Sequence, residues 1–235
     1  ADNDAATLMN SIVDGARRVL EFAASAGVRR LLHVSSGAVY GPQPSGMLAL
    51  AEDYRGAPDP LDPRSAYGQA KRLAEQMCVC AAAKGGLEPV IARAFAFVGP
   101  GLPLDAHFAI GNFIRDAAAG REIVVNGDGT PLRSYLYAAD LAAWLLTLLV
   151  EGRAGEAYNV GSDATLSIAD LAREVAALAP GASVTIKGAA TPGAPRAVYA
   201  PDIGKARALG LDVWTPLDEA IRRTMAFARK PPAKP

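Results

Sequence analysis

The sequence has few of the residues that build metal sites and disulfides. It contains two histidines and two cysteines among 235 residues, and neither HExxH nor CxxC occurs, so we expect no metal site. Cys78 and Cys80 lie two positions apart in a stretch predicted to be helical, where their side chains would point to different faces. We therefore expect two free, buried cysteines in a reducing, cytoplasmic setting.

Long apolar runs, a leader-like N-terminus and a charge excess are missing as well. The longest apolar run spans residues 141–150, far short of the roughly 20 residues that a membrane-spanning helix needs. The opening ADNDAATLMN has neither the basic nor the apolar region of a signal peptide. Lys plus Arg and Asp plus Glu both number 24, which argues against a basic nucleic-acid groove. We expect neither a membrane nor a nucleic acid as partner.

The apolar pattern alternates between helical and strand-like segments. Such alternation is typical of an α/β fold with a parallel sheet. Helices are predicted over residues 5–26, 65–84, 108–119, 138–150, 167–178 and 216–228, and strands over residues 30–35, 88–98, 122–125, 157–160 and 184–187.

Two short motifs carry residues suited to acid–base chemistry. Tyr67 and Lys71 lie four positions apart in YGQAK, so that both side chains fall on one face of a predicted helix. A nearby ammonium favours the phenolate form of a tyrosine and suits the pair to proton transfer. Ser35 and Ser36 open SSGAVYG directly after a strand, at the edge where doubly wound sheets bind ligands. Taken alone, the first motif also fits an ordinary helix face and the second a capped turn.

Together the two motifs resemble the extended short-chain dehydrogenases/reductases, the NAD-dependent nucleotide-sugar epimerases and dehydratases that include UDP-galactose 4-epimerase. RAFAFVGPG, GDGTPLRSYLYAADLA and AYNVGSDATLSIADLA follow in the family's order, and the resemblance covers residues 5–228. It implies the C-terminal part of a Rossmann-like doubly wound parallel sheet plus a smaller α/β substrate-binding lobe. Residues 1–98 would hold the remainder of the Rossmann-like domain with the serine and YxxxK, and residues 99–235 mainly the lobe, with some segments returning to the sheet.

The resemblance also implies site residues. Ser36, Tyr67 and Lys71 fall on the catalytic positions, and Tyr67 and Lys71 on positions that bind the cofactor, NAD or NADP. Ala96 stands where the family has an asparagine that contacts a substrate phosphate, and His107 in the following loop is a candidate replacement. The substrate-binding positions are then Ser36, Val125 at the base-binding edge, Arg133 and Asn159 near the diphosphate, and His107.

Gly37 and Ala38 depart from one branch of the family. Sugar-nucleotide 4,6-dehydratases carry Asp-Glu there, and those groups protonate the leaving hydroxyl and remove the C5 proton. Glycine and alanine can do neither, so the expected reaction is epimerisation at C4 of a nucleotide-diphosphate sugar through a keto intermediate. A 4-ketoreductase, a 4,6-dehydratase with unusual residues and a non-catalytic nucleotide-binding regulator stay open.

The motif that begins a dinucleotide-binding sheet is absent. No GxGxxG or GxxGxxG turn follows a strand, and the chain opens on a helix. We therefore expect the dinucleotide-binding half to be missing, the polypeptide alone to be inactive, and its NAD affinity to be negligible. The resemblance further implies a homodimer through helices 5–26 and 65–84.

Overall fold

The computed structural model describes residues 4–106 and 108–229, in which helices and strands alternate along the chain. The helices are α1 (Ala5–Ser25), α2 (Ala66–Ala83), α3 (Ala109–Ala118), α4 (Ala138–Glu151), α5 (Ile168–Ala177), α6 (Gly204–Arg207) and α7 (Leu217–Ala228). The strands are β1 (Arg30–Ser36), β2 (Glu88–Ala94), β3 (Phe97–Val98), β4 (Ile123–Val125), β5 (Leu132–Arg133), β6 (Leu136–Tyr137), β7 (Ala157–Val160), β8 (Leu166–Ser167), β9 (Val184–Ile186) and β10 (Val198–Tyr199). The predicted α/β class is confirmed.

The main sheet contains β1, β2 and β7, all parallel, with β2 in the centre. Its register aligns Ser36 with Ala94 and Ala94 with Val160, so the three carboxyl ends lie side by side. Side chains alternate across β2: Val90 and Ala92 pack in one core with α4, whereas Arg93 points to α2 on the opposite face. The sheet is therefore covered by helices on both faces, as a parallel sheet requires.

One predicted strand is wrong in its extent. Residues 88–98 were expected to form a single strand, but β2 ends at Ala94 and β3 begins at Phe97. The chain changes sheets at this point. Phe95 still donates its N–H to the Val160 carbonyl of the main sheet, whereas the Ala96 carbonyl accepts from Leu136 at the start of β6. The six predicted helices begin and end within one residue of the predicted positions, whereas the four-residue helix α6 was not predicted.

A second core lies in the later part of the chain. It is built by α3, α5 and α7 with the short parallel pair β4 and β9, and Ile114, Leu171 and Ile221 are fully buried in it. In contrast, β7 is a strand of the main sheet, and α4 and α6 pack against that sheet. The later part of the chain thus contributes both to a lobe of its own and to the first sheet.

Two other predictions concern the cysteines and membrane-spanning helices. Both cysteines are free, but only Cys78 is buried; Cys80 is exposed, so the prediction of burial is wrong for it. No helix within residues 4–106 and 108–229 combines the length and apolar character needed to cross a membrane.

Candidate active site

Ser36 ends β1 and begins the 3-10 turn Gly37–Tyr40. Its hydroxyl caps this turn by accepting the Ala38 N–H at 3.2 Å. Gly41, which closes the turn, has φ of +72°, a conformation that glycine adopts without strain. The SSGAVYG motif therefore folds so that Ser36 stays at the carboxyl edge of the sheet, only 7% exposed.

A glycine brings α2 close to this turn. A Cβ placed at Gly68 would lie 2.6 Å from the Ala38 carbonyl oxygen, so only a residue without a side chain permits the approach. Gly68 directly follows Tyr67, a residue that is 39% exposed. The first turn of α2 is thereby held next to the Ser36 turn.

Lys71 lies one helical turn after Tyr67, as the spacing predicts. Its ammonium is 5.9 Å from the centre of the Tyr67 ring and donates to the Val34 carbonyl of β1 at 3.0 Å. Burial lowers the pKa of Lys71, and the negative charge of Glu75 opposes that shift. Lys71 thus joins α2 to the strand that carries Ser36 and places a positive charge beside the phenol.

Tyr199 is a site residue that sequence reasoning missed. Its hydroxyl lies beside the Ser36 turn, because a Cβ placed at Gly37 would be 2.6 Å from it. Burial raises the pKa of Tyr199 to about 12, and Ser36 acts in the opposite direction. Ser36 and Tyr67 lie on the same side of the molecule, because Gly68 packs against the Ala38 carbonyl and Lys71 donates to Val34. Tyr199 belongs to β10, a two-residue strand that forms by pairing with β5. No local sequence pattern predicts so short a strand.

Arg133 lies opposite Tyr199 in the register of β5 and β10. One terminal nitrogen of its guanidinium donates to the Leu132 carbonyl at 2.8 Å and to the Ala197 carbonyl at 3.4 Å. A guanidinium has five N–H donors, so these bonds orient the group and leave donors for a ligand. Its positive charge also acts on Tyr199, which puts Arg133 near the Ser36 edge.

Val125 lines a separate cleft of about 750 Å³ between α3 and the turn after β4. Phe113 and Ile168 supply apolar walls, whereas Asn112 and Asn126 supply polar groups. Such a mixture of apolar walls and a few polar groups is typical of a small-molecule site. His107, the remaining predicted substrate-binding residue, lies outside the described residues.

The structure does not support Asn159 as a substrate-binding residue. Its side chain is fully buried. It donates to the carbonyls of Leu50 and Asp202 at 2.7 and 3.0 Å and accepts the Tyr40 hydroxyl at 2.8 Å. With the amide fully engaged, Asn159 holds the loop around Leu50 against the sheet instead.

A buried ion pair braces the same edge. The Arg93 guanidinium binds the Glu75 carboxylate at 2.8 and 3.1 Å, and the Ser35 hydroxyl donates to Glu75 at 2.5 Å. Arg93 also donates to the Tyr40 hydroxyl at 3.0 Å. Burial alone would lower the pKa of Arg93, but the Glu75 carboxylate outweighs that effect and raises it above its ordinary value. The network ties β1, β2 and α2 together immediately behind Ser36. Glu75 lies four residues after Lys71, a spacing that puts both side chains on one face of a helix. This spacing could have indicated Glu75 from the sequence.

A parallel α/β sheet with a serine at a strand end and a Tyr/Lys pair on the following helix defines an extended short-chain dehydrogenase/reductase. Comparison with known proteins makes the family explicit. The NAD-dependent epimerase/dehydratase family model matches residues 1–161, and the chain belongs to that family.

The relatives carry several activities. The chain is 31% identical to UDP-glucuronic acid decarboxylase 1 of Xenopus tropicalis over 92% of its own length and 50% of the relative. It is 34% identical to UDP-glucuronic acid decarboxylase 3 of Arabidopsis thaliana over 93% of its own length and 63% of that relative. It resembles the crystal structure of UDP-glucose 4-epimerase with UDP-glucose from Thermotoga maritima, with a TM-score of 0.80 at 22% identity, over 97% of this chain and 75% of that one. The chain thus spans about half to five-eighths of the length of these curated relatives.

Proposed function

We propose that this chain is the catalytic and substrate-binding part of an NAD-dependent enzyme that epimerises C4 of a nucleotide-diphosphate sugar through a transient 4-keto sugar. NADP in place of NAD fits equally, because the chain holds no GxGxxG segment with the acidic residue that distinguishes the two. The observation that carries the proposal is the packing of the Ser36 turn against the part of α2 that carries the Tyr67–Lys71 pair, at one edge of the sheet.

Tyr67 and Lys71 fit the nicotinamide end of the cofactor. Tyr67 is partly open to solvent, and the Lys71 ammonium lies under β1, which has a strand partner on one side only within the described residues. When bound beside these residues, NAD would supply reversible hydride transfer with the sugar. Tight binding needs the pyrophosphate turn of a dinucleotide-binding segment in addition, and the 235 residues contain no such motif.

The residues of the chain divide the proton chemistry among them. Tyr67, as phenolate, removes the proton of the C4 hydroxyl, and the positive charge of Lys71 stabilises that phenolate. Ser36 donates a hydrogen bond to the C4 oxygen while it becomes a carbonyl. Tyr67 then returns the proton after the 4-keto sugar has turned, so the C4 configuration is inverted.

The nucleotide is proposed to extend from Ser36 towards the α3–β4 cleft. Its base would enter the cleft beside Val125, and its diphosphate would meet the free donors of Arg133, whose fork geometry suits phosphate oxygens. His107 remains a proposed contact on grounds of sequence alone. Lys71 and Arg133 supply the local positive charge that a neutral chain needs for an anionic ligand.

A second candidate is decarboxylation of a UDP-hexuronic acid, favoured by the similarity to UDP-glucuronic acid decarboxylases. A 4-keto uronic acid is a β-keto acid, so it loses carbon dioxide after the same oxidation at C4. Dehydration is disfavoured because Gly37 and Ala38 have no carboxyl groups. A 4-ketoreductase would use the same three residues. A non-catalytic regulator would need none of them.

Product analysis separates these reactions. The assay uses a polypeptide in which this chain is joined to a dinucleotide-binding segment, with NAD and either UDP-glucose or UDP-glucuronic acid, and follows the sugar by proton NMR. The C4 epimer supports the proposal, whereas a UDP-pentose supports the second candidate and a 4-keto-6-deoxy sugar supports dehydration. If Tyr67→Phe turned over at the parent rate, the proposed assignment would be wrong.

We also propose a homodimer through residues 5–26 and 65–84. In the chain, α1 and α2 pack together and leave Val19, Phe22, Leu73 and Val79 exposed, and a cluster of exposed apolar residues marks an interaction surface. Light scattering should give twice the chain mass, and Phe22→Asp should halve it. Leu146, an equally exposed residue on α4, provides the control, since Leu146→Asp should leave the mass unchanged.

A further inference from the structure

Asn112 of α3 lines the α3–β4 cleft together with Val125. Its side-chain oxygen accepts a hydrogen bond from the Arg115 guanidinium at 3.2 Å. A guanidinium can only donate, so this bond identifies which end of the amide is the oxygen. Within residues 4–106 and 108–229, the amide nitrogen of Asn112 has no hydrogen-bond partner. Its N–H groups are therefore the end of the side chain that remains for a ligand.

Arg115, which orients Asn112, is itself held by two other groups. Its guanidinium binds both carboxylate oxygens of Asp116 at 3.0 and 3.1 Å. The nitrogen that contacts Asn112 also donates to the Leu104 carbonyl at 3.2 Å. Turning the Asn112 amide by half a rotation would bring its N–H groups against the guanidinium, donor against donor. The amide therefore keeps one orientation.

The carboxylates around the cleft are bound to other groups of the chain. Asp116 is bound by Arg115, and Asp128 accepts the N–H and the hydroxyl of Thr130 at 3.0 and 2.9 Å. The bond to Asp116 raises the pKa of Arg115, and the charge of Asp105 adds a smaller contribution in the same direction. These acceptors therefore contribute less to the recognition of a ligand than the N–H groups of Asn112.

We propose that Asn112 is a specificity residue that donates to the carbonyl oxygen at C4 of a uracil or thymine base and thereby rejects cytosine. The inference rests on the proposed function, in which the base enters this cleft, and deepens it by naming the class of base. Uracil and thymine carry an acceptor oxygen at C4, whereas cytosine carries an amino donor there. The fixed donor of Asn112 thus meets an acceptor in the first case and a second donor in the other.

The apolar walls of the cleft strengthen this discrimination. Phe113, Val125 and Ile168 line the same cleft as Asn112. A base between apolar walls has little water at its edges, and a donor that is left unpaired there costs more than a matched hydrogen bond contributes. The mismatch with cytosine should therefore weaken binding more than the match with uracil strengthens it.

Asn126 offers a comparison within the same cleft. It also lines the cleft, but no hydrogen bond in the described part of the chain sets the orientation of its amide. Asn126 can therefore turn either its oxygen or its nitrogen towards a base. We expect Asn126 to contribute to affinity without distinguishing uracil from cytosine, in contrast to Asn112.

Calorimetric titration of the chain with UDP and with CDP tests the inference, because the two ligands differ only in the base. UDP should bind roughly 10- to 100-fold more tightly than CDP, the range expected for an unpaired donor in a dry site. Asn112→Ala should weaken UDP roughly 3- to 10-fold, as for one neutral hydrogen bond, and reduce the preference for UDP to about 3-fold or less. Asn112→Asp presents acceptors only and should favour CDP.

Three further variants separate the orientation of Asn112 from its presence. Arg115→Ala keeps Asn112 but lets its amide turn, so the ratio of UDP to CDP affinity should fall towards that of Asn112→Ala. Asn126→Ala should weaken both ligands alike and keep the ratio. Asn10→Ala replaces an exposed asparagine of α1 outside the cleft and should leave both affinities unchanged.

The deciding quantity is the ratio of the two affinities, because a variant that folds poorly loses both ligands together. Equal binding of UDP and CDP by the parent chain would overturn the inference without any variant, and would leave the proposed function standing because UDP still binds. The same preference for UDP in the parent and in Asn112→Ala would overturn it too. A parent chain that binds neither ligand would contradict the nucleotide site of the proposed function, and the inference with it.

Discussion

The carboxyl edge of the main sheet and the α3–β4 cleft are built in opposite ways. At the sheet edge, Glu75 and Arg93 are mostly buried and bound to each other at two points. The cleft is lined by α3, the three-residue strand β4 and loops, and Arg115 of α3 bonds there to Asn112 and Asp116. The polar bonds of the sheet edge are mostly buried, whereas those of the cleft involve Arg115, which is 39% exposed.

This difference teaches where the chain fixes geometry and where it leaves room for variation. Proton transfer needs its groups placed within a fraction of an ångström, and a fully bonded buried network supplies that rigidity. Nucleotide binding tolerates more variation, because affinity is spread over several contacts. We therefore expect changes at the sheet edge to affect stability or kcat, and changes at the substrate end to affect ligand affinity alone.

The largest effect is expected for Tyr67→Phe in a polypeptide that carries the dinucleotide-binding segment. Loss of the acid–base group should lower kcat by roughly 10²- to 10⁴-fold. The free energy of unfolding should stay within about 0.5 kcal/mol of the parent value, as for other surface substitutions, because the Tyr67 ring is partly exposed. Kinetics and urea unfolding on the same preparation measure both quantities. A large loss of stability would mean that the phenol belongs to the bracing network and not to the chemistry.

The next largest effect is expected behind the site, for Glu75→Ala. This change leaves Arg93 buried without its carboxylate partner, and breaking a buried pair costs roughly 3–5 kcal/mol of unfolding free energy. The matched control is Asp218→Ala on α7, which breaks an exposed pair with Arg222 at 2.8 Å. Such surface pairs contribute about 0–1 kcal/mol. Equal costs for the two variants in urea unfolding would abolish the contrast between a braced edge and a loosely bonded surface.

The predictions from sequence succeeded where the signal is local. The Tyr67–Lys71 spacing and the Ser36 turn are short motifs, and local patterns placed the ends of six helices within one residue, whereas the short α6 was not predicted. Asn159 was misassigned because its partners, Leu50 and Asp202, are more than 40 residues distant in sequence and meet it only in the folded chain. Tyr199 was missed for the same physical reason, since β10 forms by pairing with β5 across the fold.

A smaller effect is expected at the substrate end, for Arg133→Ala. Loss of hydrogen bonds from a charged donor to phosphate should weaken UDP binding roughly 10- to 100-fold, while the unfolding free energy changes little. Arg17→Ala on α1 removes the same charge from an exposed pair with Asp14 and should leave UDP affinity unaltered. Calorimetry at two salt concentrations measures the effect. If Arg133→Ala binds UDP as the parent does, the diphosphate does not lie at β5.

The smallest effect concerns His33 in β1, which lies in the same cleft as Lys71, between the strand and helices α1 and α2. Burial lowers the pKa of His33, and the positive charge of Lys71 lowers it further, against the effect of Glu75. The neutral form is therefore favoured in the folded chain, and the stabilisation is complete above the ordinary pKa of about 6.5 and is lost as the pH falls towards the depressed value. Urea unfolding at pH 7.5 and 5.5 should show a decline that is smaller in His33→Asn. Because other groups also titrate in this window, the decisive quantity is the difference between the two proteins. A decline of the same size in both would show that the edge at β1 does not disfavour the imidazolium ion.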